Sequence, residues 1–253
     1  MTDCVQIARD GHLEELQTYL SSDIFSDINI DALDSKQNSA LHYAVRYSHI
    51  EIVKDLIAIN AAVNIVGSDG MTPLHYAARY GKNNVTVKTL RDDYDGGSDV
   101  GLGVLKLLLK AGGVVTAGDA YKLTPLHHAA MRGNIKIVEY LAALPEVRVD
   151  ARDKMGSTPL HIAATYQNTE VTRLLLAAAA DVRLEDKQRQ TPLHRAAQEG
   201  CVDIIEVLLS ALGAECEAAM MEEDKDGNTP LTLAVEAGNS AAVQVFLAKS
   251  GDF

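Results

Sequence analysis

Large aromatic side chains and cysteines are scarce in this 253-residue sequence. It contains no tryptophan and three phenylalanines, and aromatic residues make up 5% of it. A core without large rings has to be built from Leu, Ile, Val and Ala, and an apolar content of 47% suits thin layers of helices. The three cysteines, Cys4, Cys201 and Cys216, are odd in number and show no spacing of a disulfide framework or a zinc site. We therefore expect a reducing compartment.

Positive charge is also in short supply. The sequence has 23 Lys and Arg against 35 Asp and Glu, which gives a net charge of −12, and no basic tail or cluster offsets it. This balance argues against sequence-independent binding to DNA or RNA. No signal peptide precedes the first predicted helix, and no apolar run approaches the length of a membrane span. We expect a cytoplasmic chain, or one on the cytosolic face of a membrane protein whose spanning segment lies elsewhere.

A tetrapeptide, Thr-Pro-Leu-His, recurs along the chain. Three of the five steps between successive copies are 33 or 34 residues, and the other two equal that step plus an insertion. Six copies in register make chance an unsatisfactory explanation. The full copies are residues 72–75, 124–127, 158–161 and 191–194, and weaker copies are residues 39–42 and 229–232.

The residues around each copy predict one turn followed by two helices. Thr is a good N-cap, and Pro in the first helical turn loses no hydrogen bond. Leu160, Ala163 and Ala164 have the spacing of a helix face that packs against a neighbour. A Gly turn follows, and residues 135–141 show the helical spacing of a second amphipathic helix. One such unit cannot bury its own apolar face, so the units must stack.

The period and the tetrapeptide resemble those of the ankyrin-repeat family. This resemblance implies an all-α ankyrin-repeat solenoid of about seven stacked turn–helix–helix units with a concave groove. We expect a single domain over residues 1–253. Its predicted parts are an N-terminal capping unit 1–30 and the repeats 34–66, 67–118, 119–152, 153–185, 186–223 and 224–253.

Two repeats are longer than the period. The repeat 67–118 carries an insertion over 82–101, whose polar, Gly-rich stretch 91–99 favours a mobile loop. A regulatory loop remains an alternative, whereas a calcium loop fits poorly because required ligand and Gly positions hold other residues. The repeat 186–223 has five extra residues around 213–223, which predict an extended second helix with an acidic tail.

The histidines do not form a catalytic or metal-binding constellation. Five of the eight occupy the fourth motif position, one per repeat, so they lie on successive helices rather than in one cluster. The family resemblance implies that they join the hydrogen bonds between neighbouring turns. No nucleophile elbow, phosphate loop or paired acid and base is present. We therefore expect no enzymatic activity, no cofactor and no metal. The five are His42, His75, His127, His161 and His194.

The variable positions of the repeat point to a protein partner. In ankyrin repeats the turn tips and the end of the first helix line the concave face, so the resemblance assigns those positions to the groove. They are rich in Arg, Tyr and Met in the N-terminal half, and polar and acidic in the C-terminal half. Arg and Tyr are residue types that anchor interfaces. The predicted partner-binding residues are Arg46, Tyr47, Arg79, Tyr80, Tyr121, Met131, Arg132, Met155 and Tyr166.

Two classes of function are consistent with these features. The first is a non-catalytic module that binds a protein or peptide partner through the groove. The second is the cytosolic arm of a cation channel with a sensory or assembly role, because the insertion resembles those of ankyrin-type transient receptor potential channels. The apolar helix near the C-terminus leaves little polar surface, so we expect a piece of a longer polypeptide.

The insertion yields the first testable prediction. Replacing residues 82–101 by the short turn found at Gly133 and Asn134 should leave the melting temperature nearly unchanged, because long surface loops cost little entropy. Thermal unfolding followed by circular dichroism measures the effect. A cooperative loss of helix in the shortened chain would show that the insertion packs as part of the core.

Overall fold

The computed structural model describes residues 4–21, 29–81 and 100–250. Among them every regular element is a helix and no strand occurs, which confirms the predicted all-α class and the order of turn, helix and helix. Contacts group the chain into two compact units, Met1–His128 and Ala129–Phe253.

The first unit contains three helix pairs and the beginning of a fourth. Its first helices pack in sequence, α1 on α3 and α3 on α5, and its second helices follow the same order, α2 on α4 and α4 on α6. Leu41, Leu56, Leu74 and Leu105 are fully buried in these layers. The helices are α1 (Cys4–Asp10), α2 (Leu13–Leu20), α3 (Ala40–Arg46), α4 (Ile50–Ala58), α5 (Pro73–Tyr80), α6 (Val100–Lys110) and the start of α7 (Pro125–Arg132).

The second unit repeats this arrangement. Its first helices pack as α9 on α11 and α11 on α14, and its second helices as α8 on α10, α10 on α12 and α12 on α15. Ile137, Leu160, Leu175 and Leu208 are completely buried. Its helices are the end of α7, α8 (Ile135–Ala142), α9 (Pro159–Thr165), α10 (Thr169–Ala177), α11 (Pro192–Glu199), α12 (Val202–Leu212), α13 (Cys216–Met220), α14 (Pro230–Glu236) and α15 (Ser240–Ser250).

The extra residues 213–223 do not extend α12, so that prediction was wrong. Gly213 adopts φ 55° and ψ −120°, which ends α12, and the separate short helix α13 follows. The Arg183 guanidinium holds this segment through hydrogen bonds to Glu215 at 2.7 Å and Glu222 at 3.0 Å. The acidic side chains therefore serve in part as anchors within the repeat.

The predicted insertion ends earlier than the sequence suggested. Helix α6 already begins at Val100, and both Val100 and Gly101 are buried. A Cβ on Gly101 would collide with the backbone of Gly81, so the two glycines form a close approach between chain segments. The remaining part, 82–99, lies outside the described residues. A deletion that tests the insertion should therefore stop at residue 99.

The first helices that start at a motif with histidine begin with a hydrogen-bonded N-cap in which that histidine takes part. The backbone N–H of Thr158 donates to Nδ1 of His161 at 3.2 Å, and Nε2–H of His161 donates to the carbonyl of Gln190 at 2.9 Å. A backbone N–H can only donate and a carbonyl can only accept. The imidazole must therefore be neutral, with its proton on Nε2. One ring caps its own helix and binds the next turn.

The same bridge recurs in both units. Nε2–H of His42 donates to Met71 at 3.1 Å, that of His75 to Leu123 at 3.0 Å, and that of His194 to Glu222 at 3.1 Å. Burial lowers the pKa of each of these rings, in His75 and in His161 to about 4. At the equivalent place in the last repeat the hydroxyl of Thr232 donates only to Thr229, within its own turn.

An aspartate organises the turn before five of the six motifs. Oδ1 of Asp119 accepts the backbone N–H groups of Tyr121 at 2.8 Å and Leu123 at 2.9 Å, and Oδ2 lies 2.9 Å from Nε2 of His128. Burial raises the pKa of Asp119, but these hydrogen bonds outweigh it and hold the pKa below its ordinary value. Asp34, Asp153, Asp186 and Asp224 make the same pair of backbone bonds. The turn that starts at Gly67 lacks the carboxylate.

The buried histidines predict how stability depends on pH. The pKa of His161 is about 4 in the folded chain and about 6.5 when unfolded, so between these values only the unfolded state takes up the proton. Stability is therefore lost as pH falls from about 6.5 to about 4. We expect His161→Thr to lower the unfolding free energy at pH 7.5 by roughly 1 kcal/mol or more, because a partly buried carbonyl loses its donor.

His161→Thr should also make the unfolding free energy less dependent on pH. Between pH 6 and pH 4.5 its unfolding free energy should change by about 1.2 kcal/mol per pH unit less than that of the wild type, since most of one proton is no longer taken up on unfolding. Urea denaturation at several pH values measures both effects. His12→Thr, at an exposed histidine outside the motif, is the matched control. Parallel profiles for His161→Thr and the wild type would contradict the bridge.

Candidate functional site

Three arginines lie at equivalent places in the first unit. Arg9, Arg46 and Arg79 each occupy the last turn of the first helix of their repeat, α1, α3 and α5. The C-terminal end of a helix carries partial negative charge and favours a cation there. Because these helices pack on one another in order, the three guanidinium groups lie along one side of the layer of first helices.

Two tyrosines hold the guanidinium groups of this row. The central guanidinium carbon of Arg46 lies 4.8 Å from the ring centre of Tyr80 and 5.7 Å from that of Tyr47. Arg79 lies 5.6 Å from the same Tyr80 ring, and its Nη1 approaches the sulfur of Met71 at 3.8 Å. These distances are within the range of cation–π attraction. The Arg46–Tyr80 contact joins two successive repeats.

The row continues onto the first helix of the chain. Arg9 lies 5.9 Å from the ring centre of Tyr43, and the rings of Tyr43 and Tyr47 stack at 6.4 Å with an angle of 9°. The three arginines and three tyrosines thus form a continuous series of contacts. We call it the arginine–tyrosine cluster: Arg9, Tyr43, Tyr47, Arg46, Tyr80 and Arg79.

The inner side of the cluster is held by a hydrogen bond, and its outer side is exposed to solvent. Tyr43 is buried, and its hydroxyl donates to Oδ2 of Asp34 at 2.8 Å. Tyr47 is 40% exposed, and Arg46, Arg79 and Tyr80 are half-buried. The hydroxyl groups of Tyr47 and Tyr80 make no hydrogen bond to any other residue that the structure describes. The outer polar atoms are therefore available to a partner.

The positive charges of the cluster are not neutralised within the described part of the chain. None of Arg9, Arg46 and Arg79 forms an ion pair there. Elsewhere Arg183 binds Glu215 and Glu222, and Arg195 binds Asp186. The first 81 residues contain 11 acidic and five basic side chains, so carboxylates are plentiful near the cluster in sequence. The arginines nevertheless contact rings.

Tyr121, the fifth predicted residue of the first unit, lies at a turn tip. Its backbone N–H donates to Asp119 at 2.8 Å, which fixes the turn, and its side chain is 56% exposed. The turn is joined to the preceding one, because the N–H of Ala120 donates to the carbonyl of Asp69 at 2.8 Å. Successive turn tips of this unit are thus neighbours.

The four predicted residues of the second unit also lie at helix ends and turn tips. Tyr166 follows α9 and is 52% exposed, while Met131 and Arg132 end α7. The side-chain amide of Asn168 donates to the carbonyls of Ala130 at 2.7 Å and Met131 at 3.2 Å, which joins the ends of α7 and α9. Met155 is a turn tip, 52% exposed.

A glycine permits that junction. Gly133 has φ +67°, and a Cβ there would lie 2.5 Å from Oδ1 of Asn168. Gly200 and Asn239 repeat the arrangement at the end of α11, where the amide of Asn239 donates to Gln198 at 2.7 Å. The positive φ and the close approach both require glycine. The ends of neighbouring first helices are therefore held at a fixed spacing in this unit.

Two members of the cluster, Arg9 and Tyr43, were not predicted from the sequence. Arg9 stands two residues before Gly11, as Arg79 stands two residues before Gly81, and this spacing could have revealed it. Tyr43 lies inside α3 and is 4% exposed, so its position in the sequence predicts a core residue and not a site residue. Its ring contact with Arg9 depends on the packing of α1 against α3 and has no signal in the local sequence.

No metal-binding cluster occurs in the described ranges. They contain no group of three His, Cys, Asp or Glu side chains placed to hold a metal ion. The buried pair of His128 and Asp119 closes its own turn, and the His128 ring meets that of His75 edge-on at 5.5 Å. Of the helices described, none has both the length and the apolar character needed to cross a membrane.

A model of the ankyrin-repeat family, in copies of three repeats, matches residues 4–102, 98–186, 143–220 and 178–253. The chain belongs to the ankyrin-repeat family. Together the matches cover both compact units, and they agree with the repeated turn, helix and helix of the fold. Ankyrin repeats are a type of protein-interaction module.

Several curated proteins share this ankyrin-repeat region. A transient receptor potential cation channel subfamily A member 1 homolog from Caenorhabditis elegans is 32% identical over 134 residues, which is 51% of this chain. The nuclear factor NF-kappa-B p105 subunit from Gallus gallus is 30% identical over 64% of the chain, and Rabankyrin-5 from Mus musculus 29% over 71%. The aligned parts are 11%, 19% and 14% of these relatives, so the likeness concerns a segment of each.

Proposed function

We propose that this chain is a non-catalytic ankyrin-repeat module that binds a protein or peptide partner through the ends of its first helices and its turn tips. The observation that carries the proposal is the arginine–tyrosine cluster, a row of cations that form no ion pair with any residue the structure describes. The proposed contact residues are Arg46, Tyr47, Arg79, Tyr80, Tyr121, Met131, Arg132, Met155 and Tyr166, with Arg9 added.

The state of these side chains before binding supports the proposal. Arg and Tyr are the residue types most often found as interface anchors, since each offers a large area and a polar end. Ordering a long arginine side chain on binding costs free energy. The ring of Tyr80 already restricts the side-chain conformations of Arg46 and Arg79 before a partner binds. A partner would therefore meet a surface whose anchors are largely in place.

The relative from Caenorhabditis elegans favours a second candidate function. It is a cation channel by name, and the chain matches a segment of it. We therefore propose as an alternative that this chain is the ankyrin arm of an ankyrin-type channel, on the cytosolic face of a membrane, with a sensory or assembly role. Sequencing the complete transcript tests it. A block of membrane-spanning helices would support the arm, and a complete reading frame without such a block would contradict it.

Substitutions in the two units test the binding function. Protein fragments displayed on phage would be selected on the purified chain, and the affinities of the selected fragments measured for the wild type, Tyr80→Ala and Arg132→Glu. Each change should cost on the order of 2 kcal/mol, roughly a 30-fold loss of affinity, because it removes an anchor. Arg173→Glu makes the same charge change on α10, at a side chain already paired with Glu170, and should leave binding unaltered.

Melting curves would show that the variants are folded. If Tyr80→Ala and Arg132→Glu keep the affinity of the wild type for every selected fragment, the ends of the first helices are not the binding surface. The second helices would then be the next surface to examine.

A further inference from the structure

We propose that the arginine–tyrosine cluster binds an acidic peptide segment, in which two or three Asp or Glu side chains alternate with apolar ones. This inference rests on the proposed function and specifies the partner chemistry of the same surface. It begins from Arg9, Arg46 and Arg79 on three successive first helices, whose charges form no ion pair within the described ranges.

The first step is the hydrogen-bonding capacity that these arginines keep. A guanidinium carries five N–H donors, and a ring face satisfies its charge better than it satisfies those donors. Nε of Arg79 is buried without a hydrogen-bond partner among the described residues, and its Nη1 reaches only a thioether sulfur. The outer nitrogens of such a group suit a carboxylate, which can accept two parallel N–H bonds from one arginine.

The second step is the order of the side chains. Along the cluster the sequence of contacts is Arg9, Tyr43, Tyr47, Arg46, Tyr80 and Arg79, so one or two rings separate successive cations. The exposed part of Tyr47 offers an apolar face between two cations. A peptide that places carboxylates opposite the arginines would bring its intervening side chains to the rings. Apolar side chains are the complement of those rings.

The third step excludes extended polyanions. Nucleic acids and anionic membrane surfaces present negative charge over a wide area. The first 81 residues hold 11 acidic side chains, and only five basic ones, of which three belong to the cluster. A broad polyanion would meet these carboxylates and be repelled by the net charge of −12. A short peptide exposes its few carboxylates to the cluster alone.

The helix dipole gives the arginines a possible structural role that the test must separate from binding. Lysine at the same place would keep the charge at the helix end but would lose the planar, bidentate donor set. Arg46→Lys therefore distinguishes the two roles. Glutamine at the exposed Arg9 is a second variant, chosen because Arg9 lies in the outermost helix of the first unit and contacts only one ring.

The experiment uses a displayed library of random 12-residue peptides selected on the full chain. Selected peptides would be synthesised twice, once as found and once with every Asp changed to Asn and every Glu to Gln, and titrated by fluorescence anisotropy. We expect acid-rich peptides whose amide versions bind at least tenfold more weakly. Arg9→Gln and Arg46→Gln should each weaken binding about tenfold, Arg46→Lys several-fold, and the control Arg173→Gln not at all.

The outcomes separate this inference from the proposed function. Peptides that depend on the cluster but bind equally well as amides would overturn the acidic partner and leave the binding surface standing. Peptides indifferent to the Arg9 and Arg46 variants, or no enrichment at all, would overturn the cluster as a site for acidic peptides, and the proposed function would then be judged by Tyr80→Ala and Arg132→Glu alone. A single-stranded oligonucleotide or phosphatidylserine vesicles that bind the chain as tightly as the peptides would contradict the preference for a short peptide.

Discussion

The hydrogen bonds of the buried motif imidazoles are the constraint on which the rest of this structure depends. The ring of the motif histidine accepts from the N-cap backbone of its own helix and donates to a carbonyl in the following turn. Local helix formation and contact between repeats are thereby joined in a single buried group. A repeat with too little apolar surface to fold alone is completed by its neighbour, as expected for a stacked fold. The arrangement requires the neutral ring, and burial lowers the pKa accordingly.

The proposed binding surface is a consequence of this repeated junction. When each first helix meets the next at the same place, residues that are one repeat apart in sequence become neighbours in space. Arg46 therefore reaches Tyr80, and Arg9 reaches Tyr43. The glycines after the helices contribute in the second unit, where Asn168 and Asn239 dock onto the preceding helix end. The stacking contacts and the candidate site use different atoms of the same turns and helices.

Much of the fold was predictable from the sequence because the residues that start and space the helices recur in each repeat. The N-cap Thr, the first-turn Pro and the spacing of apolar residues predict a helix start wherever they recur. The predictions failed where a contact or a backbone conformation outside the repeat pattern decides where a helix begins or ends. The close approach of Gly101 to Gly81 extends α6 back to Val100, and the conformation of Gly213 ends α12. Neither appears in the residue pattern of one repeat. The candidate site was likewise predictable only in part. Its exposed Arg and Tyr follow from repeat positions, whereas ring contacts require packed helices.

The protonation state of the motif rings tests this account most directly. Nitrogen-15 NMR of the imidazole groups distinguishes the two neutral tautomers from the charged ring. At pH 6 we predict that His42, His75, His161 and His194 are neutral and carry the proton on Nε2, and that His75 and His161 begin to titrate only near pH 4. Rings that titrate near pH 6.5, or that carry the proton on Nδ1, would contradict the bridge between repeats.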